Sequence, residues 1–597
     1  MPPTIIDPKT DSKKIEPGQF QNTGLTKKFT VKRASAMKSE GDSYVATWQD
    51  LSTYNYPTRG FFNSPTPAQG TKIDHKTLID EEATFCVDTF ASGMTSGFTS
   101  PSRPWFELFL DDDELMKVEV VKYWLDDVTK KMLDIFQRSG TYAVLNAMYA
   151  ELSVFSTACA IIEEDFKNVI SLRNFTCGEY YLACDKQGRV NAFYHRFYMK
   201  VGQMVSDFGI GNVSAVVQQA YQSGDIDKWI LINHLIEENE GRVPYLKDFW
   251  NMPFRSIYWE DGSKDDDYLR IGGYEEFPLL VPRWDTTTTA DSYGKGGPGW
   301  KALGSVKELQ KKVKNLLIGL DKESNPPLQK DASVTGEVNT LPGGITTSSA
   351  LVPNAGVRPT YQVQLNLANL DASIEKTKQK IRKFYFTDLF LMMIQAERSG
   401  TPITATEIIE KQSEKLSILG PILERWQGDD FVKALIERTF NIGMRNSQSP
   451  DPSQNVFPPS PQELQGKELK IRYTSILAQA QRMQEIVAIN QWVSEILSVA
   501  QANPAIIDNI NFDGYAQEKA KMLGIPARII NSPEAMAALR KARAKITAEA
   551  EAQKKMLILA EAANKGAGAV KDMSAAPIGE NSALDSTLEA IKGANPR

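Results

Sequence analysis

The chain has 597 residues and a formal net charge of −6 at pH 7. Its composition, 42% hydrophobic and 24% charged, is that of an ordinary soluble globular protein with room for several domains or subdomains. The slightly acidic balance argues against tight, sequence-specific binding of DNA, which normally requires a clear basic excess.

Membrane and secretion signals are not evident in the sequence. No apolar run reaches the roughly 18–20 residues that span a bilayer. The N-terminal sequence MPPTIIDPKTDSKKIEPGQF lacks the apolar core of a signal peptide. We therefore expect no membrane anchor and a protein that is made and kept in a cytoplasm.

The residues that usually hold metals or perform acid–base chemistry are few and scattered. The four cysteines form no CxxC pair, and the three histidines have no metal-ligand spacing. They are Cys86, Cys159, Cys177, Cys184, His75, His195 and His234. The pairs Glu163–Glu164 and Glu275–Glu276 have no histidine or metal partner spaced near them. We expect no metal, no cofactor and no enzymatic activity.

The chain is predicted to be mainly helical up to about residue 157. Residues 1–24 are polar and contain proline, which favours an arm that a partner orders. Apolar spacing then predicts a short strand at FELFL and helices at about 27–54, 76–98, 118–138 and 142–157.

Between residues 158 and 279 the pattern changes to short runs of β-branched and aromatic residues separated by turns. One helix is predicted inside this region, over Val201–Gln219. The sequence YLRIGGYEEFPLLVPRW is predicted to be a strand that leads into the next region. Helices, a mixed β region and further helices indicate the α+β class.

Two basic amphipathic helices, at about 304–322 and 368–397, flank an insert over residues 323–367. The insert is rich in Gly, Pro and Thr and has the composition of a linker. The alternating apolar residues of YQVQLNL, residues 361–367, instead favour a small β module.

A glycine-rich run, YGKGGPG, precedes the first basic helix. It lacks the GxxxxGK[ST] spacing of a phosphate loop, and Pro298 removes a backbone donor that such a loop would use. The run therefore favours a flexible joint before a helix, formed by Gly294, Gly296 and Gly297.

The second basic helix is predicted to break at residues 398–403. Beyond the break, Thr404 and Glu407 form a capping box at the start of a long helix. Gly420–Pro421 is expected to kink this helix, because proline removes one backbone donor. After a proline-rich crossing, a last helical region is predicted at about 476–563.

Both basic helices carry a local excess of cations. The residues are Lys307, Lys311, Lys312 and Lys314 on the first helix and Lys376, Lys378, Lys380, Arg382 and Lys383 on the second. In a monomer such residues most often form a solvated helix face. In a ring of subunits each cluster would repeat around a channel and create a delocalised field that does not depend on DNA sequence. The residues alone leave both interpretations open.

Short motifs in a fixed order cover roughly residues 27–445. In chain order they are YPTR at 56–59, ASGM at 91–94, TSPSRPWF at 99–106, YAEL at 149–152, FYM at 197–199, GY at 273–274, VPRW at 281–284, YGKG at 293–296 and TATE at 404–407. This ordered set resembles the portal (head-to-tail connector) proteins of short-tailed, T7-like bacteriophages.

The resemblance implies a ring, usually of twelve subunits, at one capsid vertex of the virion, assembled in the host cytoplasm. Double-stranded DNA would pass through its central channel without sequence-specific binding. The implied partners are the terminase large subunit, a tail adaptor or tail tube protein, and the major capsid and scaffolding proteins.

The resemblance also implies a wing, stem, clip and crown architecture. By position it assigns the wing to 25–303 and 404–475, the stem helices to 304–322 and 368–397, the clip to 323–367, the channel loop to 398–403 and the crown to 476–563. Residues 564–597 are expected to be a flexible tail.

Three groups of site residues follow from the resemblance. Candidates for lining the DNA channel are Lys307, Lys311, Lys314, Lys376, Lys380, Lys383 and Arg398. The channel loop would be Ser399, Gly400, Thr401, Pro402 and Ile403, and the wing–stem joint would be Gly294, Gly296 and Gly297.

Two other hypotheses fit the sequence. One is a monomeric helical adaptor or scaffold, which would form no channel and would tolerate deletion of residues 323–367. The other is a cytosolic hydrolase or transferase, which would need a concave cluster of titratable residues with perturbed pKa values.

Overall fold

The computed structural model divides the chain into two compact units, residues 1–526 and 527–597. It describes residues 27–62, 78–112, 115–243, 246, 251–262, 268–332, 334, 337–341, 344–347, 356–361, 367–398, 419–428, 430–447, 455–464, 469–474, 489–500, 506, 509–522 and 533–574. Helices and strands are both numerous within these ranges, which confirms the α+β class.

The named helices of the first unit are α1 (Lys27–Asp42), α2 (Val45–Asn55), α3 (Glu82–Gly97), α4 (Glu119–Arg138), α5 (Thr141–Phe155), α6 (Val201–Phe208), α7 (Ala215–Gln222), α8 (Pro298–Ser324), α9 (Leu367–Phe384), α10 (Thr387–Arg398), α11 (Val432–Arg445) and α12 (Phe512–Met522). Residues 419–427 and 489–500 are also helical. The second unit contains α13 (Pro533–Ser574).

The strands are β1 (Phe106–Phe109), β2 (Cys159–Asp165), β3 (Val169–Phe175), β4 (Tyr180–Cys184), β5 (Val190–Lys200), β6 (Trp229–Glu238), β7 (Phe254–Glu260), β8 (Arg270–Tyr274), β9 (Leu279–Leu280), β10 (Leu328–Lys330), β11 (Val357–Pro359) and β12 (Lys470–Tyr473). The order β4-β5-β6-β7-β8 forms an antiparallel five-stranded sheet, and β3-β2-β9 forms a smaller one.

The helix predicted at 76–98 begins later than expected, at Glu82. The side-chain oxygen of Gln310 accepts hydrogen bonds from the backbone N–H groups of Ile79 and Asp80, at 2.7 and 3.0 Å. The Asp80 carboxylate in turn accepts from the backbone N–H of Glu82 at 3.0 Å. Because α8 binds this segment in a non-helical conformation, α3 cannot begin at residue 76 as the apolar spacing suggested.

Two other predicted helices are divided in the structure. The one at 27–54 is interrupted between α1 and α2. The one over Val201–Gln219 becomes α6 and α7, with Gly209 at a φ of 82° ending α6. A positive φ is tolerated by glycine and stops the helix.

The main core joins the N-terminal helices to distant parts of the chain. Phe106, Trp284 and Trp426 all lie in one cluster of buried apolar residues. The strand predicted at FELFL is confirmed as β1, and it pairs antiparallel with β12, so that Phe106 faces Tyr473. The segment around 470–473 therefore returns to the N-terminal region of the same unit.

The late helices show two further features. Residues 419–427 are helical, and Gly428 and Phe431 lie in the turn that separates them from α11. Residues 404–418 lie outside the described ranges, and the kink at Gly420–Pro421 stays a prediction. In the second unit, α13 continues to Ser574, beyond the predicted helical limit at 563. Its Ala-, Lys- and Glu-rich sequence has a high helix propensity, which explains the extension.

A buried carboxylate connects α5 to the end of β3. Glu151 is fully buried, and it accepts hydrogen bonds from the Thr176 hydroxyl at 2.7 Å and the Cys177 backbone N–H at 3.3 Å. The guanidinium of Arg59 is close by, with its Nε 4.0 Å from a Glu151 oxygen. Burial raises the pKa of Glu151 to about 7, despite the opposing hydrogen bonds and Arg59.

This burial predicts a pH dependence of stability. The pKa of Glu151 is higher in the folded than in the unfolded chain, so its contribution to stability is fully present below pH 4.5 and is lost as pH rises to about 7. In Glu151→Gln we expect this loss, up to about 1.4 kcal/mol per pH unit, to be absent. Urea unfolding of the wild type and of Glu151→Gln between pH 4.5 and 8 measures this loss. Free energies of unfolding that change with pH in the same way in both proteins would contradict its assignment to Glu151.

Candidate nucleic-acid interface on a helical hairpin

The first basic helix starts six residues before its predicted position. Gly297 is the residue before α8 and Pro298 is its first residue, where the missing backbone N–H of proline is tolerated. The backbone N–H of Gly297 donates to the Ser156 hydroxyl at 2.9 Å, and that of Gly294 donates to the Thr157 hydroxyl at 2.8 Å. The start of α8 is thus bound to the turn that follows α5.

The three glycines of the predicted joint have different surroundings. A Cβ atom on Gly294 would lie 2.0 Å from the backbone oxygen of Ser156, and one on Gly297 would lie 2.6 Å from the Ser156 hydroxyl. Gly296 has a φ of 70° and open space around it. Gly294 and Gly297 pack closely because two backbone segments meet there, and the assignment of the run as the wing–stem joint stays a prediction.

The helices α8 and α9 pack against each other as a hairpin. Lys312 of α8 donates to the hydroxyls of Ser373 and Thr377 on α9, at 2.9 and 3.0 Å. Lys312 also forms an ion pair with Glu308 at 2.6 Å. Lys312 and, less strongly, Lys380 lower the pKa of Glu308. These contacts place residues 308–312 beside residues 373–380.

Several of the predicted cations are already paired within the chain. Lys307, a predicted channel residue, lies 2.7 Å from Asp50 and over the ring of Tyr54. Lys378 lies 2.7 Å from Asp80. Sequence reasoning missed these pairs, since each joins residues hundreds of positions apart.

Arg382 is also paired, and it shows how α9 is held. Its guanidinium contacts both carboxylate oxygens of Glu82, at 2.6 and 3.2 Å. Glu82 lies in the first turn of α3 and is largely buried. This two-point contact fixes the orientation of α9 relative to α3.

The other predicted lysines of the hairpin are exposed. Lys311, Lys314, Lys376, Lys380 and Lys383 form no ion pair with any residue that the structure describes. Because 376, 380 and 383 follow i, i+4 and i+7 spacing, they share one face of α9. We call Lys376, Lys380 and Lys383 the lysine face; all three side chains are exposed to solvent.

The second basic helix is not continuous over 368–397 as predicted. It divides at Tyr385–Phe386, where Phe386 has a left-handed backbone with a φ of 53°. Phe390 of α10 then packs edge-on against Phe90, 5.0 Å between ring centres, and a Cβ on Gly93 would lie 2.4 Å from Phe390. The break occurs because α10 packs into the core against α3.

The predicted channel loop lies almost wholly outside the described residues. Arg398 is the last residue of α10, and its side chain is not among those described. Ser399, Gly400, Thr401, Pro402 and Ile403 lie outside the described ranges. The loop assignment therefore stays a prediction.

The insert between α8 and α9 contains a small antiparallel sheet. Strand β10 pairs with β11, with Gln329 opposite Arg358. This confirms strands in the insert, although they precede the alternating residues 361–367 that suggested them.

Neither a metal-site arrangement nor a membrane-spanning helix is present among the described residues. No group of three or more His, Cys, Asp or Glu side chains there has the arrangement of a metal site. None of the helices there combines the length and apolar character that crossing a bilayer would require. The free thiols of Cys86, Cys159 and Cys177 are buried.

Comparison with known proteins identifies the class. Residues 28–530 match the family described as bacteriophage head to tail connecting protein. A probable portal protein of Bordetella phage BPP-1 is 36% identical over 95% of this chain and 99% of its own length. The portal protein of Salmonella phage epsilon15 is 35% identical over 94% of this chain and 98% of its own length.

The chain therefore belongs to the bacteriophage head-to-tail connecting protein family. A solved structure, the neck of an empty GTA particle, is also similar at 10% identity and a TM-score of 0.32, over 78% of this chain and 96% of that chain. A score this low supports no structural conclusion.

The packing of Gly294 predicts the effect of one methyl group. Gly294→Ala should lower the free energy of unfolding by about 2 kcal/mol or more, because its Cβ would overlap the Ser156 backbone oxygen. The matched control is Gly304→Ala within α8, where nothing lies within 4 Å of the added atom. That control should raise stability by about 0.5–1 kcal/mol. Thermal unfolding measures the stability of both variants. Equal changes in stability would contradict the close packing around Gly294.

Proposed function

We propose that this protein is a portal protein, a non-enzymatic ring at one capsid vertex of a virion through which double-stranded DNA enters and leaves. The observation that carries this proposal is its similarity to two portal proteins over nearly the whole length of each. The ring would assemble in the host cytoplasm, with twelve subunits as the expected number.

The hairpin of α8 and α9 is the proposed channel segment. Its lysine face is exposed, whereas Lys378 and Arg382 on another face of α9 bind acids of the same chain. A ring would repeat three cations from each subunit around one axis. Such a field attracts phosphates without reading bases, which suits a polymer that must slide.

The insert between α8 and α9 and the wing would be the contact surfaces for partners. The insert over 323–367, with its β10–β11 sheet, would be the clip that contacts the terminase large subunit and then a tail adaptor or tail tube protein. Residues 25–303 and 404–475 would be the wing and 476–563 the crown. The wing would face the major capsid and scaffolding proteins, and residues 398–403 would be the channel loop.

Reversing charge on the lysine face tests the channel assignment. The double variant Lys376→Glu and Lys380→Glu should still form rings but should reduce the DNA content of heads several-fold, because the new carboxylates repel phosphates. Heads assembled with variant portals are purified and their DNA is quantified.

The matched control carries the same charge change elsewhere. Lys167 lies in the exposed turn between β2 and β3, and Lys301 is exposed near the start of α8. Lys167→Glu with Lys301→Glu should leave DNA content near that of the wild type. Equal DNA content in all three proteins would refute the channel placement.

A further inference from the structure

The outer flank of α8, on the side away from α9, is covered along only part of its length. Near its start, Lys307 binds Asp50 of α2, and Gln310 binds the backbone of residues 79 and 80. From Lys314 onward this flank is exposed, and Leu317 keeps 53% of its surface accessible.

The uncovered part of α8 is unusually apolar. Residues 316–320 read Leu-Leu-Ile-Gly-Leu, and their apolar side chains spread over about 200° of the helix circumference. Ile318 and Leu320 are 43% and 39% exposed. An apolar helix surface this wide is normally buried, yet α9 covers only one side of it.

At the level where Lys312 contacts α9, the α8–α9 hairpin has two outer edges that point in opposite directions. Successive helical residues are about 100° apart, so residues two positions apart point in nearly opposite directions. Lys312 faces Ser373 and Thr377 on α9. Lys314 therefore points away from α9, and Asp371 and Glu375 point away from α8.

These two edges have complementary charge. We call Lys314 with Leu317 the basic edge, and Asp371 with Glu375 the acidic edge. All three charged side chains are exposed. Lys314 and Asp371 form no ion pair with a described residue. Glu375 lies 3.6 Å from Arg382 and also helps to raise the pKa of Lys378.

We propose that the basic edge of one copy packs against the acidic edge of the next, so that neighbouring hairpins join side by side around the ring. This inference rests on the proposed portal function. A head-to-tail contact between two different edges is what generates a closed ring, whereas a contact of identical edges would give a dimer. Leu317 becomes buried in this contact.

Lys314, a predicted channel residue, has a different role in this arrangement. Lys314 contributes to the contact between subunits and is no longer available to DNA. The lysine face of α9 keeps its proposed role, since its residues do not belong to either edge.

Two single-edge variants and their mixture test the pairing. Lys314→Glu makes both edges acidic, and the double variant Asp371→Lys with Glu375→Lys makes both edges basic. Each purified full-length variant alone should need at least about a tenfold higher concentration than the wild type for half assembly, because like charges meet at every contact. Native mass spectrometry or mass photometry measures the ring fraction.

Mixing the two variants should restore assembly. In an alternating ring of twelve, or of any other even number, every contact again joins opposite charges. Lys301→Glu, on α8 but outside both edges, should assemble like the wild type. Restoration also shows that both variants are folded.

Three outcomes would overturn the inference. Rings of either single-edge variant at wild-type concentration would show that the edges do not meet, while leaving the portal function intact. Variants that remain folded by circular dichroism but fail to assemble when mixed would exclude this pairing of edges. A wild-type protein that forms no rings under any condition would overturn the proposed function together with the inference.

Discussion

The attachment of α8 to the turn at Ser156 and Thr157 is the interaction on which the position of the hairpin depends. Ser156 has a left-handed backbone, with a φ of 65°, and its backbone oxygen accepts from Trp284 at 2.8 Å. Its hydroxyl and that of Thr157 accept from Gly297 and Gly294. The turn after α5 therefore accepts three hydrogen bonds from the chain that leads into α8, one from Trp284 and two from Gly294 and Gly297.

The buried guanidinium of Arg283, next to Trp284, also stabilises this region of the chain. Arg283 is only 6% exposed, and it donates to the Asp430 carboxylate at 2.8 Å and to the backbone oxygens of Gly188 and Asp291 at 2.7 and 3.0 Å. Removing one partner of a buried pair typically costs about 3–5 kcal/mol, because the other charge stays buried. The turn at Ser156–Thr157 and the Arg283–Asp430 pair thus fix the start of the hairpin, and with it the orientation of the lysine face.

Much of the fold could be predicted because it follows local patterns. The strand at Phe106–Phe109 and the helix at Glu119–Arg138 match their apolar spacing. The structure differs where distant residues override that spacing: Gln310 holds the segment before α3, and packing against Gly93 breaks the second basic helix. Likewise, sequence alone could not separate Lys307, paired with Asp50, from the exposed Lys380, since that distinction depends on tertiary contacts.

An electron cryomicroscopy map of the assembled full-length protein tests most directly whether the hairpin forms the channel. We expect a ring in which Lys376, Lys380 and Lys383 face the central axis, while Ile381 packs away from it. A ring whose lysine face points outward would contradict the proposed channel, as would a protein that stays monomeric at every concentration.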